Sequence, residues 1–260
     1  MKRKLIIKIG TSILTAGTNR ISYAKIEDIA RQIVVLKKDY EIVLVSSGAI
    51  ATARQFVEIN GYDKYVDSKQ AMAAIGQPKL MKIYDEIFSS FGLKVAQCLM
   101  TYRDFENTIA KANTKNTINK LLEHDYIPII NENDTVAIEE IILGDNDKLS
   151  ALVASVMDAD LLIIASDIDG LYDQNPHLNK EAKLIQEVTN LKQVMSFAKE
   201  KKSDLGIGGM TSKIQAAKIC EQKSIEMWIV NGGRKNFLIE ALQDKISFTK
   251  FIFNNKKSIK

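Results

Sequence analysis

The sequence predicts an α/β protein with a mainly parallel sheet that is covered by helices on both faces. Short apolar runs alternate with longer segments of helical period from one end of the chain to the other, which is typical of βαβ units. Most of these short runs are continuously apolar, as expected for strands that are buried on both faces. Because only three prolines occur and no Pro/Gly/Ser-rich break divides the chain, residues 1–260 are predicted to form a single domain.

At least six strands are predicted from the apolar runs. They cover Leu5–Ile9, Ile42–Val45, Val95–Leu99, Ile127–Ile130, Leu161–Ala165 and Met227–Val230. The stretch Glu132–Gly144 is a candidate hairpin, since it contains an apolar run with a pair of glutamates in its middle.

Three segments between these strands show helical periodicity. Ser22–Lys38 carries its apolar residues on one face, and Ser22 is available as an N-cap. Asn107–Glu123 has a similar pattern. Lys69–Ser90 is predicted to form two helical pieces joined at Gly76–Pro78, because a proline interrupts hydrogen bonding inside a helix.

Composition excludes several classes of protein. The 46% apolar and 26% charged content are those of a globular enzyme, and the formal charge is only +4. Lys and Glu alternate along most predicted helices without a basic stripe, so no nucleic-acid partner is predicted. Cys98 and Cys220 are far apart and lack a CxxC or Cys/His grouping, which predicts neither a disulfide framework nor a protein-bound metal site.

No targeting or membrane segment is predicted. The basic N-terminus lacks the apolar core of a signal peptide, since Lys8 interrupts the first apolar run. The longest uninterrupted apolar run, Leu161–Ala165, is far too short to span a bilayer. A cytoplasmic protein without a membrane partner is therefore expected.

Small, polar, glycine-bearing segments follow the first two predicted strands. Gly10–Ser12 comes after the first strand and Ser46–Ala49 after the second. Ligands of doubly wound sheets bind beyond the carboxyl ends of the strands, where such segments let backbone N–H groups approach an anion. Lys8 lies near the end of the first predicted strand, and because an unpaired buried ammonium is costly, it is predicted to bind an anion.

Further polar segments follow the later strands. Asn131–Asp134 and Gly144–Asp147 supply the carboxylates and amides that would bind the ammonium and carboxylates of an acidic amino acid. Ser166–Tyr172 forms a turn that could face a nucleotide base or ribose. Each segment alone is more often a plain turn or helix cap, so the prediction of a site depends on their joint occurrence after strands.

The glycine-rich loop Gly206–Met210 precedes Lys213 at the start of another predicted helix, and it matches no common nucleotide motif. It lacks the GK[ST] ending of a P-loop, and Thr211 stands where GxGxxG requires glycine. No HRD or DFG partner of a protein kinase is visible. His124 and His177 are isolated and are predicted to be surface residues.

These segments, in their order along the chain, resemble those of the amino-acid kinase family. The segments that carry the resemblance are Lys8–Ser12, Val45–Ile50, Asn131–Asp134, Gly144–Ala151, Asp169–Tyr172 and Gly208–Lys213. The resemblance implies a three-layer α/β/α sandwich in which glutamate and ATP bind at neighbouring sites along the strand ends. It further implies ATP-dependent phosphorylation of the γ-carboxylate of L-glutamate, the first step of proline biosynthesis.

Site residues follow from the same resemblance. Lys8 and Lys213 match the lysines that hold the transferring phosphate, and Asp147 matches the carboxylate that orders them. The residues that match the family's glutamate contacts are Ser47, Asp134 and Asn146. The residues that match its nucleotide contacts are Lys8, Gly10, Ser166, Asp167, Gly208, Gly209, Met210, Thr211 and Lys213.

ATP and Mg²⁺ are the cofactors that the resemblance implies, and Mg²⁺ would bind mostly phosphate oxygens and water. A homo-oligomer, dimer or tetramer, and functional coupling to glutamyl phosphate reductase are also implied. Many relatives carry an additional C-terminal PUA-type domain, whereas this chain is expected to end after one kinase domain. Ser166 stands where threonine is common, and Ala165 replaces a bulkier residue.

Three alternatives remain open from sequence. The nearest alternative is an acetylglutamate, aspartate or uridylate kinase. Asp134 suits an ammonium, which an N-acetylated substrate lacks, and a nucleotide acceptor would be expected to need more arginines near the strand ends than Arg54 and Arg103 offer. A non-catalytic sensor would have little need for Lys8, Lys213 and Asp147 together. A nucleic-acid-associated protein with a degenerate kinase fold would show salt-dependent binding to RNA.

Overall fold

The computed structural model describes residues 2–57, 64–137, 146–174, 176, 179–192, 194 and 207–253, with the side chains of residues 207–209 left out. Its described strands are β1 Arg3–Ile9, β2 Tyr40–Ser46, β3 Lys94–Met100, β4 Tyr126–Glu132, β5 Leu161–Ser166, β6 Leu171–Tyr172, β7 Leu184–Ile185, β8 Glu187–Val188, β9 Glu226–Asn231 and β10 Thr249–Phe251. Its described helices are α1 Thr11–Leu14, α2 Tyr23–Leu36, α3 Ala49–Ala53, α4 Val66–Ser90, α5 Thr108–Glu123, α6 Asp147–Met157, α7 Ile207–Lys223 and α8 Phe237–Leu242, with a 3₁₀ turn at Tyr102–Phe105.

A single eight-stranded sheet, in the order β3-β4-β2-β1-β5-β9-β10-β8, joins most of the described strands. Every neighbouring pair from β3 to β9 is parallel, whereas β10 runs antiparallel to β9. The short strands β6 and β7 pair separately. The six predicted strands correspond to β1–β5 and β9 and are confirmed, each extended at one or both ends.

Helices cover both faces of this sheet, which confirms the three-layer α/β/α sandwich. Leu5, Ile7 and Ile9 of β1 pack in one core with residues of α2, α4 and α8. Ile6 belongs to the opposite core, with residues of α5, α6 and α7. Since side chains alternate along a strand, Lys8 lies on the same side as Ile6, under the first turn of α6.

Helix α4 corrects one prediction, because Val66–Ser90 is one helix with Pro78 inside it. Gly76, where the break was predicted, is instead a point of close packing. A Cβ at Gly76 would lie 1.8 Å from the carbonyl oxygen of Ala49, so the backbone of α4 rests directly on α3. Burial of α4 side chains from Met72 to Phe88 offsets a local proline cost of about 3 kcal/mol.

The other local predictions have mixed outcomes. Ser22 caps α2 as predicted, since its side chain accepts a hydrogen bond from the backbone N–H of Lys25. His124 is exposed as predicted, whereas His177 and residues 138–144 of the candidate hairpin lie outside the described residues. Among the described helices, none combines the length and apolar character that crossing a membrane requires.

Candidate active site

The carboxyl ends of β1, β2, β4 and β5 bring the predicted site residues to one edge of the sheet. Lys8 is the penultimate residue of β1, and Ser46 and Ser166 are the last residues of β2 and β5. The parallel register pairs Lys8 with Val45 and Ile164, which places the ends of all three strands side by side. The first turn of α6 faces this edge.

Asp147 ties two lysines together at the centre of the site. Its Oδ1 lies 2.6 Å from Nζ of Lys8, and its Oδ2 lies 3.0 Å from Nζ of Lys213. Ser212 donates a hydrogen bond of 3.1 Å to the same Oδ2. The structure thus brings Lys8, Lys213 and Asp147 together, with one carboxylate oxygen facing each ammonium. The carboxylate of Asp147 is fully buried.

The electrostatics of this cluster favour an anion. Burial opposes ionisation of Asp147, but the ammonium groups of Lys8 and Lys213 outweigh that effect and hold the pKa of the carboxyl below its usual value. Among the described residues, this trio sets two ammonium ions against one carboxylate. A Cβ at Gly10 would lie 3.4 Å from Nζ of Lys8, so glycine there lets backbone come close to the ammonium. Phosphate is the kind of ligand that such a site attracts.

Asn146, directly before Asp147, anchors a second group of polar residues. Its fully buried amide donates to the carbonyl oxygen of Ser46 at 3.0 Å, to Oδ1 of Asn131 at 2.8 Å and to Oγ of Ser47 at 3.4 Å. Asn131 in turn donates to Oε1 of Gln77 at 2.8 Å. The structure thus brings Ser47 and Asn146 together, as predicted, and links them to α4.

Asp134 lies in an adjoining cavity of about 220 Å³. Its lining includes Gln77, Glu132 and Asp134, together with apolar atoms of α4 and β3. Burial raises the pKa of the Asp134 carboxyl to about 6. Gln77 connects this cavity to the group around Asn146, because it lines the cavity and accepts a hydrogen bond from Asn131.

The predicted nucleotide contacts lie on the other side of Lys8. Ser166 donates a hydrogen bond of 3.3 Å to Oδ1 of Asp167, which is exposed. A Cβ at Gly10 would lie 3.8 Å from the carbonyl oxygen of Ala165, so the ends of β1 and β5 adjoin. These backbone segments and the hydroxyl of Ser166 form an open polar edge beside the lysines.

The glycine-rich segment corrects another prediction. Gly208, Gly209, Met210, Thr211 and Lys213 lie within the first turns of α7, and Gly206 lies outside the described residues. Glycine costs little at a helix start, and the first-turn N–H groups have no acceptor within the helix. The segment is therefore a helix N-terminus of the kind that binds anions, and it is adjacent to the Lys213–Asp147 contact.

Sequence reasoning did not single out Ser212, Asn131 or Gln77. Ser212 and Asn131 fall inside segments that carried the resemblance, so their polar character was a usable signal. Gln77 gave none, because it lies in the stretch that resembled a helix break. Its role becomes visible only when α4 is placed against the end of β4.

Sequence comparisons match this chain to a protein family and to individual relatives. The model of the amino acid kinase family matches residues 3–231. A glutamate 5-kinase from Clostridium acetobutylicum is 44% identical over 255 residues, which cover 97% of this chain and 96% of the relative. A glutamate 5-kinase from Thermoanaerobacter sp. is 42% identical over 249 residues, which cover 95% of this chain and 67% of the relative.

Two solved structures share the fold at low sequence identity. A carbamate kinase from Giardia lamblia bound to AMP-PNP superposes with a TM-score of 0.69 at 13% identity, covering 96% of this chain and 98% of that one. A UMP kinase from Ureaplasma parvum gives a TM-score of 0.64 at 18% identity, covering 97% of this chain and 99% of that one. These likenesses establish the fold of the sheet and its helices.

Proposed function

This chain belongs to the amino acid kinase family, and we infer that it transfers the γ-phosphoryl group of ATP to the side-chain carboxylate of L-glutamate. The product is L-glutamyl 5-phosphate, and the reaction is the first step of proline biosynthesis. The relatives named glutamate 5-kinase support the acceptor. The observation that carries the chemistry is the buried contact of Asp147 with both Lys8 and Lys213.

The proposed transfer needs no catalytic base. A glutamate side chain has a pKa of about 4.3, so its carboxylate is already ionised at neutral pH. One carboxylate oxygen attacks the γ-phosphorus, a new C–O–P linkage forms, and the bond from the γ-phosphorus to the β–γ bridging oxygen breaks as ADP leaves. What the protein must supply is alignment of two anions and relief of their repulsion.

Lys8 and Lys213 would supply that relief, and Asp147 would fix their positions. Each ammonium is held by a different oxygen of Asp147, so the carboxylate sets the direction from which both lysines reach the phosphoryl group. The first turn of α7 adds N–H groups at the positive end of a helix dipole. Charge-stabilising groups that are positioned in advance are the main source of catalysis in phosphoryl transfer.

Substrate and nucleotide would bind on opposite sides of these lysines. Ser47 and Asn146 are proposed to contact glutamate near the transferring phosphate, and the Asp134 carboxylate is proposed to pair with its ammonium. On the ATP side we propose the residues already predicted as nucleotide contacts, namely Gly10, Ser166, Asp167, Gly208, Gly209, Met210 and Thr211.

Mg²⁺ is proposed to arrive with ATP. Among the described residues, no group of three or more His, Cys, Asp or Glu side chains could hold a metal ion, and Asp147 is already engaged by two lysines. The ATP phosphates and water would therefore provide most ligands. When bound, the ion neutralises charge on the β- and γ-phosphates.

Three features of the assembly are also proposed. Residues 1–260 would form one kinase domain, which is supported by a single sheet that includes strands from Arg3–Ile9 to Thr249–Phe251. A dimer or tetramer is proposed from the family resemblance alone. Functional coupling to glutamyl phosphate reductase is proposed because an acyl phosphate hydrolyses readily and must be consumed quickly.

The direct test is ATP turnover with glutamate, aspartate or N-acetylglutamate, with hydroxylamine present to trap an acyl phosphate as its hydroxamate. We expect hydroxamate with glutamate alone, in step with ADP release. Hydroxamate with N-acetylglutamate would contradict the proposed pairing of Asp134 with an ammonium. ADP release without hydroxamate from any acceptor would contradict transfer to a carboxylate.

A further inference from the structure

A buried lysine on α2 makes contacts that the proposed reaction does not use. Lys25 is 9% exposed, and its ammonium donates hydrogen bonds to three consecutive carbonyl oxygens, those of Gly232, Gly233 and Arg234, at 2.9, 3.1 and 3.1 Å. These bonds use all three N–H groups of the ammonium. Asp28 lies 3.7 Å away and supplies an opposite charge. A solvated surface lysine would hold neither this geometry nor this burial.

The loop that Lys25 holds follows β9 and rests against the proposed nucleotide site. The N–H of Gly232 donates to the carbonyl oxygen of Ser166 at 2.9 Å. A Cβ at Gly232 would lie 2.8 Å from Cβ of Ala165 and 3.1 Å from a side-chain carbon of Ile13, so this backbone fits tightly between β5 and α1. Loop 232–234 therefore touches both segments that carry the proposed ATP contacts Gly10 and Ser166.

The same loop also binds the turn that follows β5. Arg234 donates to Oδ1 of Asp169 at 2.9 and 3.1 Å, and Asn231 donates to the same oxygen at 3.1 Å. Asn231 further accepts a hydrogen bond from the N–H of Gly233. A displacement of loop 232–234 would therefore move both Ser166 and Asp169, which it contacts directly.

A neighbour of Lys25 on the same helix provides a contrast. Gln32 is fully buried, and its Oε1 accepts from the N–H of Leu238 at 2.7 Å, at the start of α8. Within the described part of the chain, Asn236, the N-cap residue of α8, makes no side-chain capping bond and has φ of 56°. Gln32 therefore caps α8 from α2, and the backbone that it holds is that of α8 and not that of loop 232–234.

We propose that Lys25 is a positioning residue for ATP, because its ammonium holds the carbonyls of loop 232–234 and so keeps Ser166 and its neighbours in place for the nucleotide. This role rests on the proposed function, since it takes this edge of the sheet as the ATP side. It predicts that the loss of Lys25 affects ATP binding and leaves the glutamate side unchanged, because the contacts of Asn146 and Asp134 involve other strands.

The test compares Lys25→Met with Gln32→Met in the full chain. Methionine keeps the apolar stem of either side chain and removes the polar head. We expect Lys25→Met to raise the KM for ATP and the Kd for ATP by roughly tenfold or more, with the glutamate KM changed less than about twofold. Gln32→Met should lower Tm through the lost helix cap. Gln32 also donates to Oδ2 of Asp28, but its loss leaves the three carbonyl bonds of Lys25 in place, so the KM for ATP should change far less than in Lys25→Met.

Unchanged ATP affinity in folded Lys25→Met, or equal rises in both KM values, would overturn the role of Lys25. Should Lys25→Met not fold, Lys25→Arg provides the second variant. Its planar guanidinium keeps the charge but cannot direct three N–H groups from a single nitrogen to the three carbonyl oxygens. A smaller, still ATP-selective loss is therefore expected, and unchanged ATP affinity would overturn the proposal. ATP affinity is measured by calorimetry without glutamate, so this comparison does not depend on the identity of the acceptor. If glutamate is the wrong acceptor, the hydroxamate assay of the proposed function fails while the ATP affinities can still be compared.

Discussion

The ammonium of Lys8 lies 2.6 Å from Oδ1 of Asp147, which joins the end of the first strand to the first residue of α6. The other oxygen of Asp147 binds Lys213 in the second turn of α7. One buried carboxylate therefore sets the positions of two ammonium groups that come from distant parts of the chain. The proposed transfer to glutamate depends on this arrangement, and each part of it can be tested separately.

Replacement of Lys8 by methionine should lower kcat by about 10²- to 10³-fold, which is the usual cost of losing one preorganised charge-stabilising group. The ammonium acts mainly when charge moves onto the transferring phosphoryl group, so the glutamate KM should change far less. Steady-state kinetics at saturating ATP and glutamate would measure both quantities.

Lys4 provides the matched control on the same strand. It lies on the same face of β1 as Lys8 but at the amino end, where its ammonium contacts Asn119 and the carbonyl oxygen of Met157. Lys4→Met should keep kcat within about twofold of the unchanged protein, because it removes a lysine far from the transferring phosphate. Equal losses in Lys4→Met and Lys8→Met would mean that Lys8 has no special role in transfer.

Asp147→Asn should destabilise the fold by about 3–5 kcal/mol at neutral pH, because it leaves two buried ammonium groups without their carboxylate. The ionic contribution has a definite pH dependence. The folded-state pKa of Asp147 is below the ordinary value of 3.8, so its stabilisation is present above that value and is lost as the pH falls through the folded pKa. Denaturant unfolding at pH 7.5 and at several pH values below 4 would measure this loss of unfolding free energy.

The difference in unfolding free energy between Asp147→Asn and the unchanged protein should therefore become smaller in acid. A gap that stays constant from neutral pH to the acid range would show that the asparagine disturbs packing and that the ion pairs contribute little. Ser150 offers a control nearby, since its hydroxyl donates to the backbone carbonyl of Asp147, so Ser150→Ala should change stability without this pH dependence.

Asp134→Asn should raise the glutamate KM by about 10- to 100-fold, the equivalent of one hydrogen bond to a charged group. In the unchanged protein the carboxylate of Asp134 must be ionised to pair with an ammonium. Because burial raises its pKa to about 6, the glutamate KM should rise as the pH falls through that value. Glutamate KM measured from pH 5 to pH 8.5 in both proteins would detect the difference, and Glu132→Gln controls for the other carboxyl group of this cavity.

The same substitution should stabilise the protein without substrate. A folded-state pKa raised from 3.8 to about 6 means that the contribution of Asp134 to stability is present at low pH and is lost as the pH rises through 6. Asp134→Asn should therefore unfold at a higher temperature than the unchanged protein at pH 8, and the two should converge near pH 4. If Asp134→Asn leaves the glutamate KM unchanged, Asp134 does not contact the substrate, whether or not the stability changes.

Gly76→Ala should destabilise the protein by about 1–3 kcal/mol, although alanine is favoured over glycine inside a helix. The added Cβ would lie 1.8 Å from the carbonyl oxygen of Ala49, so α4 would have to move away from α3. Thermal unfolding would measure the effect. Ala71→Gly, at an exposed position of the same helix, should cost about 1 kcal/mol by propensity alone, and a stabilised Gly76→Ala would contradict the close approach of α3 and α4.

The main strands could be predicted from sequence because burial on both faces leaves a continuous apolar run, as in Leu161–Ala165. Strands of two or three residues, such as β8, carry no such signal. The prediction failed at Gly76–Pro78, where local propensity indicated a break and tertiary packing against α3 keeps one helix. Whether a glycine is a hinge or a close contact depends on a neighbour that the sequence does not reveal.

The site was predictable where a charge interrupts an apolar strand, as at Lys8, and where the family resemblance supplied a motif, as at Asp147 and Lys213. The distances between these residues depend on how α6 and α7 pack on the sheet. Gln77 and Lys25 could not be found in this way. Both are polar residues on amphipathic helices, and only the folded chain shows that they are turned inward.

The most direct test of the central claim follows the oxygen atom through the reaction. Glutamate labelled with ¹⁸O in its side-chain carboxylate is incubated with ATP and hydroxylamine, and the released phosphate is examined by ³¹P NMR. Attack by the carboxylate places one labelled oxygen in the C–O–P bridge, and hydroxylamine then displaces phosphate together with that oxygen. We predict one ¹⁸O in each phosphate formed with the hydroxamate, whereas unlabelled phosphate would contradict transfer to the glutamate carboxylate.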